Sequence, residues 1–519
     1  MLRRSTAKRQ VAKSQSLAAP IGGLNARDSV ALMKPTDAII LDNWFPSTTS
    51  VDLRKGFEPH ATFTGDCETI LAYNGVARAV FVAVDAASIS IIDATSGGAI
   101  STAVVGGGGA TVEALTNARF DYQNFGTTGG QFLSVVNGAD TPLQYNGSAW
   151  SVSSMTGSGL ATSNLFTVGV YAERLWYLEA NSFNAWYLPL QSITGTLVKL
   201  ALGSLFKLGG SLSNIVTWSG DTGSLLAEFI AFVSTEGEVL VFHGTDPASS
   251  TTWARVAQFR VGRPVCRGNR AWTKLAAESV LITADGLIPL SRAVTQDRTD
   301  DSSAISDKIR NSFNHDVLAH GSRFGWSVVL HPIGQKLIVN VPTREDATSY
   351  QWVMNSQTKA WTRFTAWDAF CFETTRDALY WGGAGVLALA DTGLDDDGDA
   401  IVGDAKQAFS YFGQRGRQKQ MTMARPILSL DGPISLVLGI DVDYQDTDPG
   451  SVVPIAGNVG DPWEVAWDVS WTGSGVIYRA WNSVRGIGFA IAPRIKVQSA
   501  GVNLSWSATD FVYEAGGIL

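Results

Sequence analysis

The side chains that most often carry metal and acid–base chemistry are few in this sequence, and their spacing matches no catalytic motif. The 519 residues include five histidines, namely His60, His243, His315, His320 and His331. They form no HExxH or HxH pattern, the arrangements that bring two imidazoles to one zinc ion. His315 and His320 are five residues apart on a predicted helix, which points them in different directions. We therefore expect surface or core histidines.

One acidic run resembles part of a calcium-binding loop. In the run from Asp395 to Asp399, aspartates stand at alternate positions, and Gly398 follows three of them. The glutamate required at the last position of such a loop is missing, because Lys406 occupies that position. We expect an acidic, solvated turn and no metal or cofactor. Asp395, Asp397 and Asp399 are the alternative ion ligands.

Motifs for nucleophilic catalysis and phosphate binding are also missing. The sequence contains no GxSxG elbow and no P-loop, and the glycine run VVGGGGATV lacks the Lys-Ser/Thr pair that would reach a phosphate. The turns before Trp150, Trp253 and Trp361 lack the SxDxGxxW form of sialidase-type repeats. A glycan hydrolase needs two carboxyl groups in one cleft, and no pair is singled out by spacing. The sequence predicts a protein that is not an enzyme.

Composition points to an all-β protein. Hydrophobic residues make up 45% of the chain and charged residues only 17%, with 53 Gly and 17 Trp. Large aromatics and turn formers favour strands over helices. The net charge of −8 argues against a protein that captures duplex DNA, because such proteins cluster Lys and Arg to neutralise phosphates. If the protein contacts DNA, we expect the DNA to pass along it without being captured.

The cysteines and the N-terminus bear on cellular location. Cys67, Cys266 and Cys371 are widely separated and odd in number, so we expect reduced core thiols and a cytosolic assembly route. The basic N-terminus has no apolar segment behind it, which argues against a secretion signal. No run approaches the roughly 18 apolar residues of a membrane helix. We expect no membrane segment.

Short apolar runs bounded by turn residues recur from about residue 69 to residue 389 and predict strands. The clearest runs are Ala79 to Val84, Phe132 to Val136, Val239 to Phe242, Ser279 to Ile282 and Lys336 to Val341. Three times a strand and a polar turn are followed by a tryptophan, at Trp150, Trp253 and Trp361. Hairpin turns are predicted at Asn146-Gly147, Asp285-Gly286 and Gly382 to Gly385.

These patterns are typical of propeller blades of four strands. We expect a β-propeller body with six blades, an extended N-terminal arm and an additional C-terminal β domain; a β-sandwich pair or an irregular all-β body is the alternative. The predicted segments are a basic arm (1–20), a docking or platform segment (21–60), the propeller (61–400) and the C-terminal β domain (401–519).

One helix is predicted over residues 302–320. Apolar residues recur every four positions along it, at Ile305, Ile309, Phe313 and Val317. Asp300 and Asp301 precede this segment and are expected to serve its N-terminus.

Three motifs follow one another between residues 20 and 57. They are GGLNAR, DAIILDNWFP and LRKGF. In this order they resemble the N-terminal stretch of tail proteins from short-tailed bacteriophages. Further similarity lies in FLSVVNGADTPLQYNGSAW, in YAERLWYLEA followed by AWYLPL, and in AWTRFTAWDAFCFETTRDALYWGGAGVLALADTG. Together these segments cover most of residues 20–400 and resemble the tail nozzle, or packaged-DNA stabilisation, family.

The resemblance implies a structural subunit of the tail nozzle. It implies a homohexameric ring below the portal and adaptor, with tail fibres or spikes outside it. Viral DNA is retained in the channel and passes through it during ejection without sequence-specific binding. The expected location is the virion tail, after assembly in the host bacterial cytoplasm. A tail adhesin or fibre-anchoring protein and a propeller-type glycan hydrolase remain as alternatives.

The basic arm contains the candidate contacts to an acidic adaptor or portal surface. The arm is either a disordered tail or a segment that orders on a partner. The candidate contacts are Arg3, Arg4, Lys8, Arg9 and Lys13. Large aromatics are expected to be packing anchors, because aromatic burial dominates core energetics. They are Trp44, Phe45, Trp150, Trp176, Trp253 and Trp361.

Overall fold

A computed structural model describes residues 12–107, 114–221, 226–276, 278–291, 304–450, 453–455 and 476–518. Four of the five candidate arm contacts lie outside these residues, as do the two aspartates expected to serve the predicted helix. They are Arg3, Arg4, Lys8, Arg9, Asp300 and Asp301.

Strands dominate the described residues. The first twenty are β1 (Lys13–Ala18), β2 (Gly23–Leu24), β3 (Asp37–Asp42), β4 (Trp44–Pro46), β5 (Val51–Leu53), β6 (Gly56–Tyr73), β7 (Ala79–Asp85), β8 (Ser90–Asp93), β9 (Gly98–Ala99), β10 (Ala103–Gly106), β11 (Asp121–Thr127), β12 (Gly130–Val136), β13 (Leu143–Tyr145), β14 (Trp150–Val152), β15 (Met155–Gly157), β16 (Leu165–Tyr171), β17 (Arg174–Glu179), β18 (Asn184–Tyr187), β19 (Gly195–Ala201) and β20 (Leu212–Asp221).

The second half of the chain continues the pattern. Its strands are β21 (Leu226–Ser234), β22 (Glu238–Gly244), β23 (Trp253–Arg260), β24 (Trp272–Leu275), β25 (Glu278–Thr283), β26 (Gly286–Pro289), β27 (Ser327–His331), β28 (Lys336–Arg344), β29 (Thr348–Asn355), β30 (Trp361–Phe364), β31 (Cys371–Thr375), β32 (Ala378–Thr392), β33 (Ile401–Gln407), β34 (Arg417–Leu430), β35 (Ile434–Val442), β36 (Val453–Ile455), β37 (Val476–Tyr478), β38 (Asn482–Gly488), β39 (Ile491–Ser499) and β40 (Leu504–Ile518). Helical segments are α1 (Arg310–His320) and the 3₁₀ turns Thr162–Asn164, Asn269–Ala271 and Asp307–Ile309.

The all-β prediction is confirmed, and the chain divides into two compact units. Unit 1 is drawn from Met1–Glu58, Val353–Thr365 and Asp391–Leu519. Unit 2 is drawn from Pro59–Trp352 and Ala366–Ala390. The segments 21–60 and 401–519 are predicted as separate domains. In the structure, most of both segments belongs to unit 1.

Unit 2 is the β-propeller that the sequence predicts. Antiparallel sheets follow one another along the chain: β6 with β7, β8 and β10, then β11 to β14, then β16 to β19, then β20 to β23, then β24 to β26. Hairpins of β27 with β28 and of β31 with β32 complete it. Neighbouring inner strands pack side by side, β11 on β16, β16 on β20, β24 on β27 and β27 on β31. All five clear apolar runs named above are strands.

The strand, turn and tryptophan pattern is confirmed. Trp150, Trp253 and Trp361 are the first residues of β14, β23 and β30. In unit 2, the indole of Trp253 lies between two other rings, stacked at 5.5 Å on Trp176 and at 5.4 Å on Phe242. Aromatic contacts of this kind stabilise a core beyond the area that they bury. The pattern thus marks the strands that deliver large rings to the core.

The helix begins later than the sequence predicts. Helix α1 starts at Arg310, although Phe313 and Ile309 are buried as expected for the apolar face. Upstream, the Ile305 N–H donates to the Leu287 carbonyl at 2.9 Å, and Ser306 Oγ accepts from the Leu287 N–H at 3.0 Å. These bonds tie the segment to β26, and they take the place of the first helical turns.

The hairpin turn predicted at Gly382 to Gly385 is wrong, because β32 runs straight through these glycines. The turn lies instead at Arg376 and Asp377, whose φ values of 53° and 63° match a tight hairpin turn. A Cβ on Gly382 would lie 2.2 Å from the Cys67 Sγ. Glycine is needed at position 382 for close packing and not for a turn. The predicted two-residue turn at Asn146-Gly147 is a four-residue loop, 146–149.

Unit 1 contains strands from both ends of the chain. β34 pairs with β40, and β40 also pairs with β1 and β5. A second set of strands follows the order β3, β33, β39, β35 and β36, with β2 parallel to β3. Lys13, a candidate arm contact, is exposed at the start of β1 and pairs with Tyr513. Part of the basic arm is therefore a strand of this sheet, which neither interpretation of the arm anticipated.

Cys67, Cys266 and Cys371 are free thiols, and the Sγ atoms of Cys67 and Cys371 are 3.8 Å apart in unit 2. Burial raises the pKa of Cys266 to about 12. Among the described residues, no helix is long and apolar enough to cross a membrane.

Replacing Gly382 with alanine is expected to destabilise unit 2 by about 1–3 kcal/mol, because the added methyl overpacks the contact with Cys67. Chemical denaturation followed by circular dichroism measures the change. Gly416→Ala is the matched control, since nothing lies within 4 Å of a Cβ there. Equal stability of the two variants would contradict this packing.

Candidate functional site

The three N-terminal motifs of the family resemblance, between residues 20 and 57, lie in unit 1, where their polar side chains bind one another. Asn43 stands between β3 and β4 with a φ of 60°. Its Oδ1 accepts from Arg54 Nε at 2.9 Å and from the Thr365 N–H at 2.8 Å. Its Nδ2 donates to Thr365 Oγ1 and to the Val402 carbonyl, both at 2.8 Å. The amide is therefore fully used inside the fold.

Arg54 is a buried cation with every donor occupied. Its side chain has 0% exposure. Nη1 and Nη2 donate to the two carboxylate oxygens of Asp396 at 2.8 and 2.6 Å, a bidentate ion pair. Nη1 also donates to the Lys55 carbonyl and Nη2 to the Thr365 carbonyl. With Nε bonded to Asn43, all five N–H groups have acceptors.

The glycines of the same motifs are needed for close approach. A Cβ on Gly56 would lie 1.5 Å from the Asp395 carbonyl oxygen. Gly23 has a φ of 77°, and a Cβ there would lie 2.6 Å from the Trp361 carbonyl oxygen. Asn25 donates to Asp37 at 2.8 Å. These contacts join separate segments of unit 1.

The acidic run forms a turn that is tied to this network through Asp396. Asp395 Oδ1 accepts from the Gly398 N–H at 2.9 Å, and the Asp397 N–H donates to the Phe57 carbonyl. Asp397 and Asp399 are exposed. Within the described part of the chain, no three His, Cys, Asp or Glu side chains are grouped to hold a metal ion.

The aromatic residues singled out from the sequence lie in both units. Trp44 and Trp361 in unit 1 and Trp150 and Trp176 in unit 2 are buried. The others are half-buried; they are Phe45 and Trp253. In unit 1, Trp44 packs edge-on against Trp506, with ring centroids 6.0 Å apart.

A cavity of about 1030 Å³ lies at the centre of the propeller in unit 2. Segments of β6, β11, β16, β20, β24, β27 and β31 line it. This volume is that of a small-molecule pocket, for which about 300–1,000 Å³ is usual. Its charged neighbours come from segments far apart in the sequence, and no spacing signal could have revealed them. The charged residues that line it are Asp121, Glu173, Glu228, Arg270, Lys274 and Glu373. Glu68 is bonded to Arg270 through its carbonyl and to Arg119 through its carboxylate.

Two arginines stack on one aromatic ring beside this cavity. The guanidinium carbons of Arg119 and Arg270 lie 4.0 and 4.3 Å from the centre of the Phe324 ring. Arg270 Nη2 donates to the Glu68 carbonyl at 2.7 Å and to Thr69 Oγ1 at 2.6 Å. Arg119 Nε donates to Glu68 Oε2 at 2.8 Å. The cluster joins segments that are separated along the chain.

Three carboxyl groups around Arg270 have raised pKa values. Burial raises the pKa of Glu68 from 4.5 to about 7, and this effect outweighs the Arg119 ion pair that lowers it. Burial likewise raises the pKa of Glu373 to about 7 and of Asp121 to about 6.

Asp121 and Glu373 are engaged by neighbours. Asp121 accepts from Thr167 Oγ1 and from the Asn269 N–H. The Glu373 side chain is hydrogen-bonded to Tyr122 and to the Thr374 N–H. Both carboxyl groups therefore bind side-chain and backbone groups of neighbouring segments.

Comparison with known proteins gives no family. No family model matches the chain. No curated protein matches it either.

Several solved structures are similar in fold. One is BBS1N in complex with ARL6DN, at 12% identity and a TM-score of 0.37, covering 66% of this chain and 97% of that one. Raptor from Chaetomium thermophilum has 10% identity and a TM-score of 0.39, covering 65% and 28%. YCF48 bound to D1 peptide has 9% identity and a TM-score of 0.36, covering 65% and 97%. At these identities the likeness concerns the fold alone.

Replacing Arg54 with methionine is expected to destabilise unit 1 by about 3–5 kcal/mol, because Asp396 is then left buried without its cation. Urea denaturation measures the loss. Arg363→Met is the control: its guanidinium also pairs with a carboxylate, Asp42, but is 38% exposed. We expect at most about 1 kcal/mol there. Similar losses in both variants would refute a special role for Arg54.

The raised pKa values of Glu68, Glu373 and Asp121 predict a pH dependence for unit 2. Each group binds its proton more tightly in the folded chain, so the stability it contributes is fully present below its unfolded pKa of about 4 and is lost as pH rises through about 6–7. These three groups therefore make the urea midpoint higher at about pH 5 than at about pH 8.

Glu68→Gln and Glu373→Gln should each flatten this dependence, because an amide carries no titrating proton. Glu58→Gln, at an exposed position in unit 1, is the control. A slope that is unchanged in the first two variants would show that these carboxyl groups do not titrate in the expected range.

Proposed function

We propose that this protein is a structural subunit of the tail nozzle of a short-tailed bacteriophage. It forms a ring of six copies in the virion tail, below an adaptor, after assembly in the host cytoplasm. The ring retains packaged DNA and conducts it during ejection. The subunit has no enzymatic role in this proposal.

The observation that carries the proposal is the use made of the resemblance motifs. In unit 1, hydrogen bonds inside the fold occupy the side chains of Asn43 and Arg54. Gly56 allows a close approach of the backbone. A catalytic or ligand-binding motif would leave polar atoms directed at a substrate. Motif residues that only hold the fold together support a family whose task is mechanical.

The size of the cavity bears on where DNA passes. A space of about 1030 Å³ suits a small molecule, so in this proposal the duplex passes between copies of the subunit and outside the cavity of unit 2. The net charge of −8 favours passage, because a like-charged wall binds a polyanion weakly.

The blade number belongs to the same proposal. The strands that line the cavity are β6, β11, β16, β20, β24, β27 and β31. Because β6 and β31 belong to one sheet, these seven strands come from six sheets, and one sheet for each blade gives the six blades expected from the sequence. The hairpin of β31 and β32 then shares its sheet with β6, which brings the two ends of unit 2 together.

The docking role of the basic arm also remains a proposal. Arg3, Arg4, Lys8, Arg9 and Lys13 would contact an acidic surface of the adaptor or portal. Fibres or spikes would attach on the outside of the ring.

The decisive experiment is native mass spectrometry of the purified protein together with negative-stain imaging. We expect a particle of six chains with a central hole and no hydrolysis of host surface polysaccharide. A monomer with glycan-cleaving activity would overturn the proposal. An oligomer without a hole that binds cells would favour the adhesin alternative.

A further inference from the structure

A short loop of unit 1 covers a charged face of the sheet formed by β33, β39 and β35. This loop, residues 443–450, is called the strap below. Its first residues, Asp443 and Tyr444, both have positive φ, at 46° and 68°. Asp443 Oδ1 accepts from the N–H groups of Phe489 and Ala490 at 2.8 and 2.9 Å. The strap is therefore anchored at its start by a defined turn.

Three cations lie side by side beneath the strap. Lys406 of β33 is directly opposite Arg494 of β39, and Lys496 stands two residues further along β39. The side chains of Lys406 and Arg494 are only 3% and 10% exposed. Such burial is unusual for charged side chains unless they are paired. We call these three residues the cationic strip.

Carboxylates of the strap provide part of that pairing. Asp446 Oδ1 accepts from Lys406 Nζ and from Arg494 Nη1, both at 3.1 Å. Asp448 Oδ2 accepts from Lys496 Nζ at 2.7 Å. Asp446 and Asp448 are themselves 68% and 65% exposed. The cations are thus fixed in the sheet, whereas their strap partners face solvent.

Two further carboxylates, those of Asp404 and Asp441, belong to the sheet and remain beside the cationic strip when the strap is displaced. Asp404 pairs with Arg494 at 2.7 Å, and Asp441 pairs with Lys406 at 2.7 Å. With the strap in place, three cations face four carboxylates. Without it, three cations face two, and the local charge changes from negative to positive.

We propose that the cationic strip is a phosphate-binding site, which the strap carboxylates occupy in this structure and which a polyanion uncovers. Phosphate oxygens would take the positions of the Asp446 and Asp448 oxygens on Lys406, Arg494 and Lys496. The source is either the backbone of a DNA duplex or free phosphate. This inference does not depend on the six-fold ring.

The strap carboxylates are the solvent-facing partners of these ion pairs, so salt and competing anions reach them first. The Gln445 and Thr447 carbonyls of the strap also accept from Lys406 Nζ and Arg494 Nη1, so an incoming phosphate must replace these acceptors as well. A polyanion gains affinity by releasing counterions when its phosphates are neutralised. Neighbouring Lys406 lowers the pKa of Asp446, and Lys496 lowers that of Asp448, so both strap carboxylates are ionised at neutral pH and compete fully.

The test compares variants of the full chain for binding of a fluorescent duplex of about 20 base pairs at about 50 mM salt. Replacing Asp446 and Asp448 together with asparagine removes the competing carboxylates. We expect roughly tenfold tighter binding than for the control Asp377→Asn/Asp399→Asn, which makes the same charge change at exposed positions. Adding Lys496→Met to the first variant should remove the gain.

Hydrogen exchange of residues 443–450 provides the second readout in the unaltered protein. Faster exchange on addition of the duplex identifies the DNA backbone as the ligand, and faster exchange with inorganic phosphate alone identifies free phosphate. The proposal is overturned if neither probe changes this exchange, or if the Asp446→Asn/Asp448→Asn variant binds no more tightly than its control. A monomeric particle with this behaviour would leave the site intact and reject only the nozzle.

Discussion

The Arg54 guanidinium is the interaction on which unit 1 depends. It joins the stretch after β5 to the acidic turn through Asp396 and to the end of β30 through the Thr365 carbonyl. Three separate parts of the chain therefore share one buried cation. A buried ion pair adds little net stability compared with apolar packing, but the loss of one partner is costly. The pair therefore disfavours any fold of unit 1 in which these three segments do not meet.

Unit 2 handles buried charge in a different way. Three buried carboxyl groups around Arg270 lie on β6, β11 and β31: Glu68 is paired with the partly exposed Arg119, whereas Asp121 and Glu373 are hydrogen-bonded to uncharged groups. Burial raises the pKa values of Glu68, Asp121 and Glu373 towards neutrality. Binding a proton as pH falls through about 6–7 removes part of the cost of burying these groups. One unit therefore contains a buried bidentate ion pair, and the other contains a cluster of carboxyl groups whose charge depends on pH.

Local pattern was sufficient to predict the strands, the all-β class, the propeller and the tryptophans that begin β14, β23 and β30. It failed where a residue serves a distant neighbour. Gly382 resembles a turn glycine but makes room for Cys67, and Ile305 fits a helical stripe but bonds to β26. Arg54 and Asp396 are 342 positions apart, so periodicity carries no information about their pairing. The cavity carboxyl groups were missed for the same reason, and the function rests on resemblance.

The pairing of β1 with β40 has a consequence for synthesis. Lys13 is opposite Tyr513, so the first described strand cannot pair until the last described strand has been synthesised. At about 5–20 residues per second, the delay is on the order of a minute. Throughout that time the early strands of unit 1 present open edges, which are prone to pair with other chains. Unit 2 lies between these ends, and most of it is able to fold on the ribosome before unit 1 closes.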